Sequence, residues 1–390
     1  MGHSRLKTQR TADVLIVGGG IIGAACAREF ARQGLSVAVI EPAPLGGGAT
    51  GASMGHLLVV DAEGQDGDAG ANAEFALTRR GSELWREWLD ASEAHPRLAE
   101  HSRCGTLWIA ADAEELALAQ RKQQWLQARG LKAELLDPQA LARAEPLLRP
   151  GLAGALRVPD DARLYPPKVV AAWLQEARAE IIQGQVQGFG RAGEVILQDG
   201  RRLWGALTVL AAGLACQRWL PPGTLISKKG QLAITQRYPG LIQHQLVELG
   251  YIKKAHLLDQ DTVSFNVQPR PGGQVLIGSS RQIGKADAAL DLTLLRQMLA
   301  HACDYLPPLA QMSLLRSWTG LRPASRDGQP LIGAHPSLPR VWLATGHEGL
   351  GITTALATAE LLAQQSLQQP CTLAPEAWSP QRFFSPSPQP

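Results

Sequence analysis

Three glycines and one glutamate near the start of the chain have the types and spacing that bind a dinucleotide. Gly18, Gly20 and Gly23 form the pattern G-x-G-x-x-G directly after an apolar run. Gly18 permits a tight turn, Gly20 lets the backbone approach a pyrophosphate, and Gly23 allows a helix to pack closely on a strand. Glu41 follows about 20 residues later, where a carboxylate accepts hydrogen bonds from ribose hydroxyls. The negative charge of Glu41 would repel a 2′-phosphate.

A β-α-β unit is expected to position these residues. The apolar run, Val14 to Val17, predicts a buried parallel strand, and Ser36 to Ile40 predict a second one. The helix between them, from about Ile21 to Gln33, would present its first-turn N–H groups, with Ile21 and Ile22, to the phosphates. We interpret this combination as a dinucleotide-binding unit and not as an ordinary glycine-rich turn. The unit alone does not distinguish FAD from NAD.

The composition is typical of a globular enzyme. The 390 residues suffice for two domains, and 45% hydrophobic with 19% charged residues exclude a disordered chain. A formal charge of +3 with scattered basic residues gives no reason to expect nucleic-acid binding. Five dispersed cysteines argue against a zinc site, an iron–sulfur motif or a disulfide framework, and they suit a reducing compartment. Since no run approaches the roughly 18 apolar residues of a membrane span, we expect a cytoplasmic protein, with peripheral membrane attachment left open.

Two further segments of small residues could lie against a ligand. The loop PAPLGGGATGASMGH follows Glu41, and we favour cofactor contact over a surface linker because of its position after the dinucleotide unit. His56 at its end would either face the cofactor or be a buried structural histidine, and the residues leave both open. Near the C-terminus, the strand VWLAT, a glycine turn and a helix from about Ile352 repeat the opening geometry. A second helix N-terminus would therefore point at a ligand.

The remaining pattern predicts a second domain inserted into the first. Antiparallel strands with one covering helix are expected over 226–319, and Asp112 with Glu115 predicts a capped helix toward Arg129. The predicted fold class is α/β (α+β overall), a Rossmann-like domain interleaved with an antiparallel-sheet substrate domain. We assign 11–85, 150–225 and 320–370 to the first domain and 86–149 and 226–319 to the second. The proline- and serine-rich segment 371–390 is expected to be a flexible tail.

These segments, in order, resemble the FAD-dependent D-amino-acid oxidase superfamily, which includes glycine oxidases, sarcosine oxidases and D-amino-acid dehydrogenases. The resemblance spans nearly the whole chain: VGGGIIG with Glu41, the GGATGAS loop, LTVLAAG, WTGLRPASRDGQPLIG and ATGHEGLGI. Within the family, ALTRRGSELW, CGTLWIA and QPRPGGQVLIGSSRQ are similar to β subunits of D-hydroxyproline dehydrogenases. Those enzymes are heteromeric and oxidise cyclic D-imino acids.

The resemblance implies that FAD is held by four segments of the chain. It places the ADP half against Gly18, Gly20, Ile21, Ile22, Gly23 and Glu41, the pyrophosphate and isoalloxazine against Ala49, Thr50, Ser53 and Gly55, the adenosine side near Ala211 and Gly213, and the flavin pyrimidine edge against Gly346, Gly349, Leu350, Gly351 and Ile352. Sarcosine oxidases attach flavin through a cysteine near the WTGLRP motif. Because Ser313 to Gly333 contain no cysteine, we expect non-covalent FAD.

The resemblance also implies the substrate contacts. Arg322 matches the arginine that binds the substrate carboxylate in similar oxidases, and a guanidinium offers two parallel donors to such a group. His56 and His347 are candidates for positioning or electrostatics, with structural packing as the alternative, and Tyr251 is a candidate substrate contact. No side chain stands out as an obligatory base, and no metal site is expected.

The implied function is FAD-dependent oxidation of the C–N bond of a small amino or imino acid by hydride transfer. A D-hydroxyproline or D-proline type of substrate is favoured, with electrons passed to partner subunits of a hetero-oligomer. A self-contained oxidase of glycine, sarcosine or another D-amino acid that uses oxygen is one alternative. A non-catalytic flavoprotein subunit that relays electrons is another. The two glycine turns and the family motifs disfavour an NAD-dependent dehydrogenase.

Overall fold

The computed structural model describes residues 11–58, 69–190, 193–250 and 261–384. The strands are β1 Val14–Val17, β2 Val37–Glu41, β3 His56–Leu57, β4 Thr106–Ala110, β5 Glu134–Leu136, β6 Gly154–Val158, β7 Ala162–Arg163, β8 Glu180–Gln183, β9 Val186–Phe189, β10 Val195–Leu197, β11 Arg202–Leu203, β12 Leu207–Leu210, β13 Leu225–Arg237, β14 Gln245–Glu248, β15 Thr262–Pro269, β16 Gln274–Ile283, β17 Leu314–Ser325, β18 Leu331–Ala334 and β19 Val341–Thr345. The helices are α1 Ile21–Arg32, α2 Ala69–Asp90, α3 Ala94–Leu98, α4 Ala113–Ala128, α5 Pro138–Ala144, α6 Pro166–Glu176, α7 Leu292–Tyr305 and α8 Gly351–Ser366. Short 3₁₀ segments occur at Gly213–Trp219, Pro307–Gln311, Glu348–Leu350, Pro375–Trp378 and Pro380–Phe383.

The first sheet has six strands in the order β18-β19-β12-β1-β2-β8. All neighbours pair in parallel except β18, which runs antiparallel to β19. Val14 and Ile16 face an apolar layer formed by α1, α2, α6 and α8, and Leu15 faces the layer beneath the small sheet of β9, β10 and β11. Burial on both faces explains why β1 is a continuous apolar run.

Close packing at the start of α1 explains two glycines of the opening motif. A Cβ atom at Gly23 would collide with the carbonyl oxygen of Gly18. Gly18 itself has φ +112°, and a Cβ atom there would lie 2.5 Å from the carbonyl oxygen of Ala211. The turn therefore brings the helix onto β1 and β12 only when both positions lack a side chain.

The second sheet has eight strands in the order β17-β13-β16-β15-β14-β4-β6-β5. Its pairs are antiparallel apart from β14 with β4. Helix α7 covers one face through a core that contains Phe265, Met298 and Tyr305. On the other face α4 covers the end near β4 and β6, and the middle of the sheet faces the first domain. The predicted fold class, a Rossmann-like domain with an antiparallel-sheet domain, is confirmed.

The sheets extend across the domain boundaries expected from the sequence. Helix α2 runs through position 86, and Trp88 and Leu89 belong to the core of the first domain. Strand β6 extends the second sheet to Val158, and β17 extends it to Ser325. The boundaries at 86, 150 and 320 thus move by about a helix turn or a strand, because pairing and packing continue past the changes in composition.

The C-terminal segment differs from the flexible tail that we expected. Trp378 is 2% exposed, and it packs into the core of the first domain. Arg382 forms an ion pair with Asp327 at 2.6 Å and donates to the carbonyl oxygen of Gln329. Residues 371–384 are therefore held against the dinucleotide-binding domain, and 385–390 lie outside the described residues. In the part of the chain that the structure describes, no helix is both long and apolar enough to span a membrane.

Candidate active site

A cavity of about 600 Å³ lies between the two sheets. Its walls include these residues singled out in the sequence: Gly18, Gly20, Ile21, Ile22, Glu41, Ala49, Thr50, Ser53, Gly55, His56, Ala211, Gly213, Arg322, His347, Gly349, Leu350, Gly351 and Ile352. Gly23 and Gly346 are not in the wall, and they shape the turns behind it. Tyr251 lies outside the described residues.

The dinucleotide end of the cavity is built around Glu41 and the N-terminus of α1. The Glu41 carboxylate accepts hydrogen bonds from the backbone N–H groups of Gly19, at 2.7 Å, and Ala43, at 3.0 Å. These bonds fix the carboxylate at the carboxyl end of β2, where a ribose hydroxyl can reach it. Thr50, expected at the pyrophosphate, accepts a hydrogen bond from the backbone N–H of Ile21 at 3.0 Å and so joins the small-residue loop to the helix.

A second helix N-terminus, that of α8, lies at the cavity wall, and its contact with the cofactor stays a prediction. Gly346 has φ +84°, which a side chain would disfavour, and it turns the chain from β19 toward α8. The first residues of α8, Gly351 and Ile352, line the cavity. The positive end of this helix dipole would stabilise negative charge on a bound group.

Arg322, on β17, lines the cavity. It is paired in register with Lys228 of β13, and its Nη2 donates to the carbonyl oxygen of Ser280 at 3.2 Å. A Cβ atom at Gly230 would lie 2.5 Å from that nitrogen, so the glycine makes room for the guanidinium. Among the described residues Arg322 has no carboxylate partner. Its other N–H groups can therefore bind an anionic ligand.

The two histidines are held by neighbouring side chains. His56 contacts the Gln245 side-chain oxygen through Nδ1, and Gln268 joins the same cluster. His347 is buried and its Nε2 pairs with the Thr358 hydroxyl at 3.0 Å. Burial lowers the pKa of His347 from 6.5 to about 3, so its imidazole is neutral at physiological pH. Both rings line the cavity, and a direct role with substrate stays a prediction for each.

Several wall residues were not singled out in the sequence. Met54, Trp108, Leu232, Val247, Asn266 and Ser279 line the substrate side. The apolar run in CGTLWIA is typical of a strand, yet it does not show which of its side chains face the cofactor domain. The side of the strand that faces the cofactor domain depends on strand pairing between residues more than a hundred positions apart.

The chain matches the DAO family model, described as FAD dependent oxidoreductase, over residues 13–365. The protein therefore belongs to this family of FAD-dependent oxidoreductases, and its cofactor is FAD. The site fits that group, because the glycine turns leave backbone exposed beside two helix N-termini and Glu41 is fixed at the ribose position. The match confirms the family and the cofactor that the sequence resemblance implied.

Several named proteins are similar to this chain over most of its length. Subunit HcnC of hydrogen cyanide synthase from Pseudomonas aeruginosa is 27% identical over 403 aligned residues, which cover 90% of this chain and 92% of that protein. Glycine oxidase from Geobacillus kaustophilus is 26% identical over 373 aligned residues, with 90% and 92% coverage. The crystal structure of glycine oxidase from that organism has a TM-score of 0.82 at 23% identity, over 94% of this chain and 98% of that one. L-proline dehydrogenase from P. horikoshii has a TM-score of 0.78 at 22% identity, with 96% and 98% coverage.

Proposed function

We propose that the protein oxidises the C–N bond of a small amino or imino acid, with a D-hydroxyproline or D-proline type of acid as substrate. When bound, FAD supplies the two-electron acceptor for a hydride from the substrate Cα. The observation that carries the proposal is the Arg322 guanidinium, which has no carboxylate partner among the described residues and faces a largely apolar wall. Glycine oxidase and L-proline dehydrogenase, by their names, act on substrates of this class.

Arg322 would fix the substrate by its carboxylate. Two parallel N–H donors to a carboxylate set both the position and the plane of that group, and they limit the directions in which the Cα–H bond can point. Arg218 is the other arginine in the described cavity wall, and its guanidinium lies over the Trp219 ring. Lys228, the cation next to Arg322 across the strands, is occupied by Glu348 at 2.7 Å.

The residues of the cavity favour a substrate that arrives with a neutral amine. Glu41 and Glu348 are the carboxylates among the described wall residues, and both are bonded to other groups of the chain. His347 is neutral and bonded to Thr358. Hydride can leave Cα directly once the nitrogen lone pair is free, so that no side-chain base is required for the step.

Two segments support the choice of a cyclic imino acid. CGTLWIA and QPRPGGQVLIGSSRQ, which are similar to the D-hydroxyproline dehydrogenase β subunits, contribute Trp108 and Ser279 to the substrate wall. A broad indole beside Val247 suits the flat face of a five-membered ring. We propose non-covalent FAD, because the described wall residues include no cysteine.

We further propose a cytoplasmic protein that passes electrons to partner subunits. HcnC, which is similar along most of its length, is named as a subunit of a larger enzyme. An oxidase that uses oxygen is the second candidate, and the similarity to glycine oxidase favours it. The two differ in one measurable product, because an oxidase releases hydrogen peroxide without any partner.

The test is an absorbance spectrum of the FAD-loaded protein without oxygen, before and after addition of cis-4-hydroxy-D-proline, D-proline, glycine or sarcosine. We expect the oxidised flavin band to bleach with the two cyclic acids and slowly or not at all with the acyclic ones. Bleaching by glycine or sarcosine alone, with peroxide formed in air, would replace the proposal by the oxidase. Flavin that stays oxidised with every acid would favour an electron-relay subunit.

A further inference from the structure

A row of residues crosses the second sheet on the face that meets the cavity. Trp108 of β4 pairs in register with Val247 of β14, Val247 with Asn266 of β15, and Asn266 with Gly278 of β16. Directly paired residues share a face of the sheet. Trp108, Val247 and Asn266 accordingly line the same wall of the cavity.

Asn266 is the polar member of an otherwise apolar part of the wall. Beyond Gly278 the row continues to Leu232 and Met54, which occupy the space that a side chain at Gly278 would fill. Val247 packs on the other side of Asn266. An amide at this position has no evident packing advantage over a leucine. We therefore expect its polar atoms to have a hydrogen-bond partner.

The Asn266 Oδ1 is buried and accepts no hydrogen bond from the part of the chain that the structure describes. Buried polar atoms in proteins are normally paired. One pleat further along the same strands, Gln245 and Gln268 bond to each other at 2.9 Å, and Gln245 also donates to Thr106 at 3.3 Å. Asn266, whose position faces the cavity, lacks such a partner for its side-chain oxygen.

Trp108 supplies a complementary group two strands away. It is 1% exposed, and its Nε1–H is buried without an acceptor in the described ranges. Adjacent strands lie about 4.8 Å apart, so the strands of Trp108 and Asn266 are about 10 Å apart, on either side of the strand that carries Val247. A hydroxyl both donates and accepts, and it would satisfy the amide oxygen and the indole N–H together.

The position of Asn266 relative to Arg322 indicates which part of the substrate it would meet. Arg322 lies on β17 and Asn266 on β15, three strands away in the order of the sheet. The two strand axes are therefore about 14 Å apart. A substrate held by its carboxylate at Arg322 would direct its far end, and not its amine, toward Asn266.

We propose that Asn266 and Trp108 form a hydroxyl-binding subsite that selects amino or imino acids with a hydroxyl on the carbon distal to the carboxylate. This inference rests on the proposed function of the same cavity. It assigns the discrimination between a hydroxylated acid and its unsubstituted analogue to two named side chains. A site built to bind a hydroxyl disfavours the analogue that lacks it, because its own polar atoms then stay unpaired.

The experiment measures the second-order rate constant for flavin reduction without oxygen, with cis-4-hydroxy-D-proline and with D-proline. The wild-type protein should prefer the hydroxylated acid by about tenfold or more. Asn266→Leu should lower the rate constant for cis-4-hydroxy-D-proline far more than the rate constant for D-proline, and so abolish most of that preference. Trp108→Phe, which removes the N–H group and part of the ring system but keeps an aromatic side chain, should lower the preference to a smaller extent.

Gln282→Leu is the matched control, since Gln282 is another buried amide of the same sheet with an unpaired oxygen and it does not line the cavity. The control should leave the ratio of the two rate constants unchanged. Equal rates for both acids in the wild-type protein, or equal losses for both acids in Asn266→Leu, would overturn the subsite and leave the proposed function standing. If neither acid reduces the flavin, the proposed function and the subsite both fail.

Discussion

Lys228 and Glu348 join the substrate sheet to the turn before the second cofactor helix. The Lys228 Nζ lies 2.7 Å from the Glu348 carboxylate, and the two side chains are 18% and 25% exposed. Arg281 Nη2 approaches the same carboxylate at 3.7 Å. Glu348 also has φ +49°, an uncommon conformation for a residue with a side chain. The ion pair therefore lies beside the cavity wall, which includes Glu348, and holds the turn that leads into α8.

Removal of this ion pair should lower the affinity for FAD and the stability of the protein. For Lys228→Met we expect a rise of about fivefold in the Kd of FAD and a loss of about 1 kcal/mol in the free energy of unfolding, because the pair is partly shielded from water. Titration of the apoprotein with FAD and urea unfolding measure the two quantities. Lys285→Met, which removes a more exposed pair with Asp261, serves as the control. Unchanged FAD affinity in Lys228→Met would contradict the role of the pair.

Gly23→Ala should abolish FAD binding. Its Cβ atom would collide with the Gly18 carbonyl oxygen, and the backbone must move to avoid it. We expect a loss of about 3 kcal/mol or more in the free energy of unfolding and protein that purifies without flavin. Gly188→Ala is the matched control, because a Cβ atom at Gly188 has no neighbour within 4 Å. Normal flavin content in Gly23→Ala would show that the helix does not depend on this contact.

Arg322→Lys should separate substrate binding from cofactor binding. The variant retains the positive charge and loses the two parallel donors, so we expect the rate constant for flavin reduction to fall about 100-fold with unchanged flavin content. Arg316→Lys, an exposed arginine over Trp318 on the same strand, should retain the wild-type rate. Flavin reduction in Arg322→Lys as fast as in the wild-type protein would contradict the proposed role of Arg322 in substrate binding.

The buried His347 should make the protein less stable in acid. Its pKa is about 3 in the folded protein against 6.5 in the unfolded chain, so below pH 6.5 the unfolded state binds a proton that the folded state does not. Stability is therefore lost as the pH falls from 6.5 toward 3, by about 1.4 kcal/mol per pH unit from this group. In urea unfolding at pH 8 and pH 5, His347→Gln should lose about 2 kcal/mol less than the wild-type protein. Equal losses would show that His347 is not buried as a neutral ring.

Local signals predicted the cofactor half of the molecule well. Val14–Val17 agrees with the predicted strand, and α8 begins one residue before the predicted Ile352. Such elements follow from short apolar runs and from glycines whose conformation is set locally. The Asp112 cap on α4 is equally local, because its carboxylate accepts from the Glu115 N–H at 2.8 Å.

The arrangement of the substrate half could not be predicted, because it depends on contacts between residues that are far apart in the sequence. Trp108, Val247 and Asn266 meet only through the pairing of β4, β14 and β15, which lie far apart in the chain. Lys228 and Glu348 likewise meet only after the two domains pack. The prolines and serines of the C-terminal segment predicted a flexible tail. The segment is instead held in place, because the Trp378 side chain is buried in the core.

The most direct test of the central claim is a titration without oxygen, in which increments of cis-4-hydroxy-D-proline are added to the FAD-loaded protein. We predict that about one equivalent of the acid bleaches one equivalent of flavin, because the acid donates two electrons and oxidised flavin accepts two. A cyclic imine product should form in the same amount. We also predict that Arg322→Lys stays oxidised over the same period. Flavin that remains oxidised in the wild-type protein with excess acid, or equal bleaching in both proteins, would contradict the account.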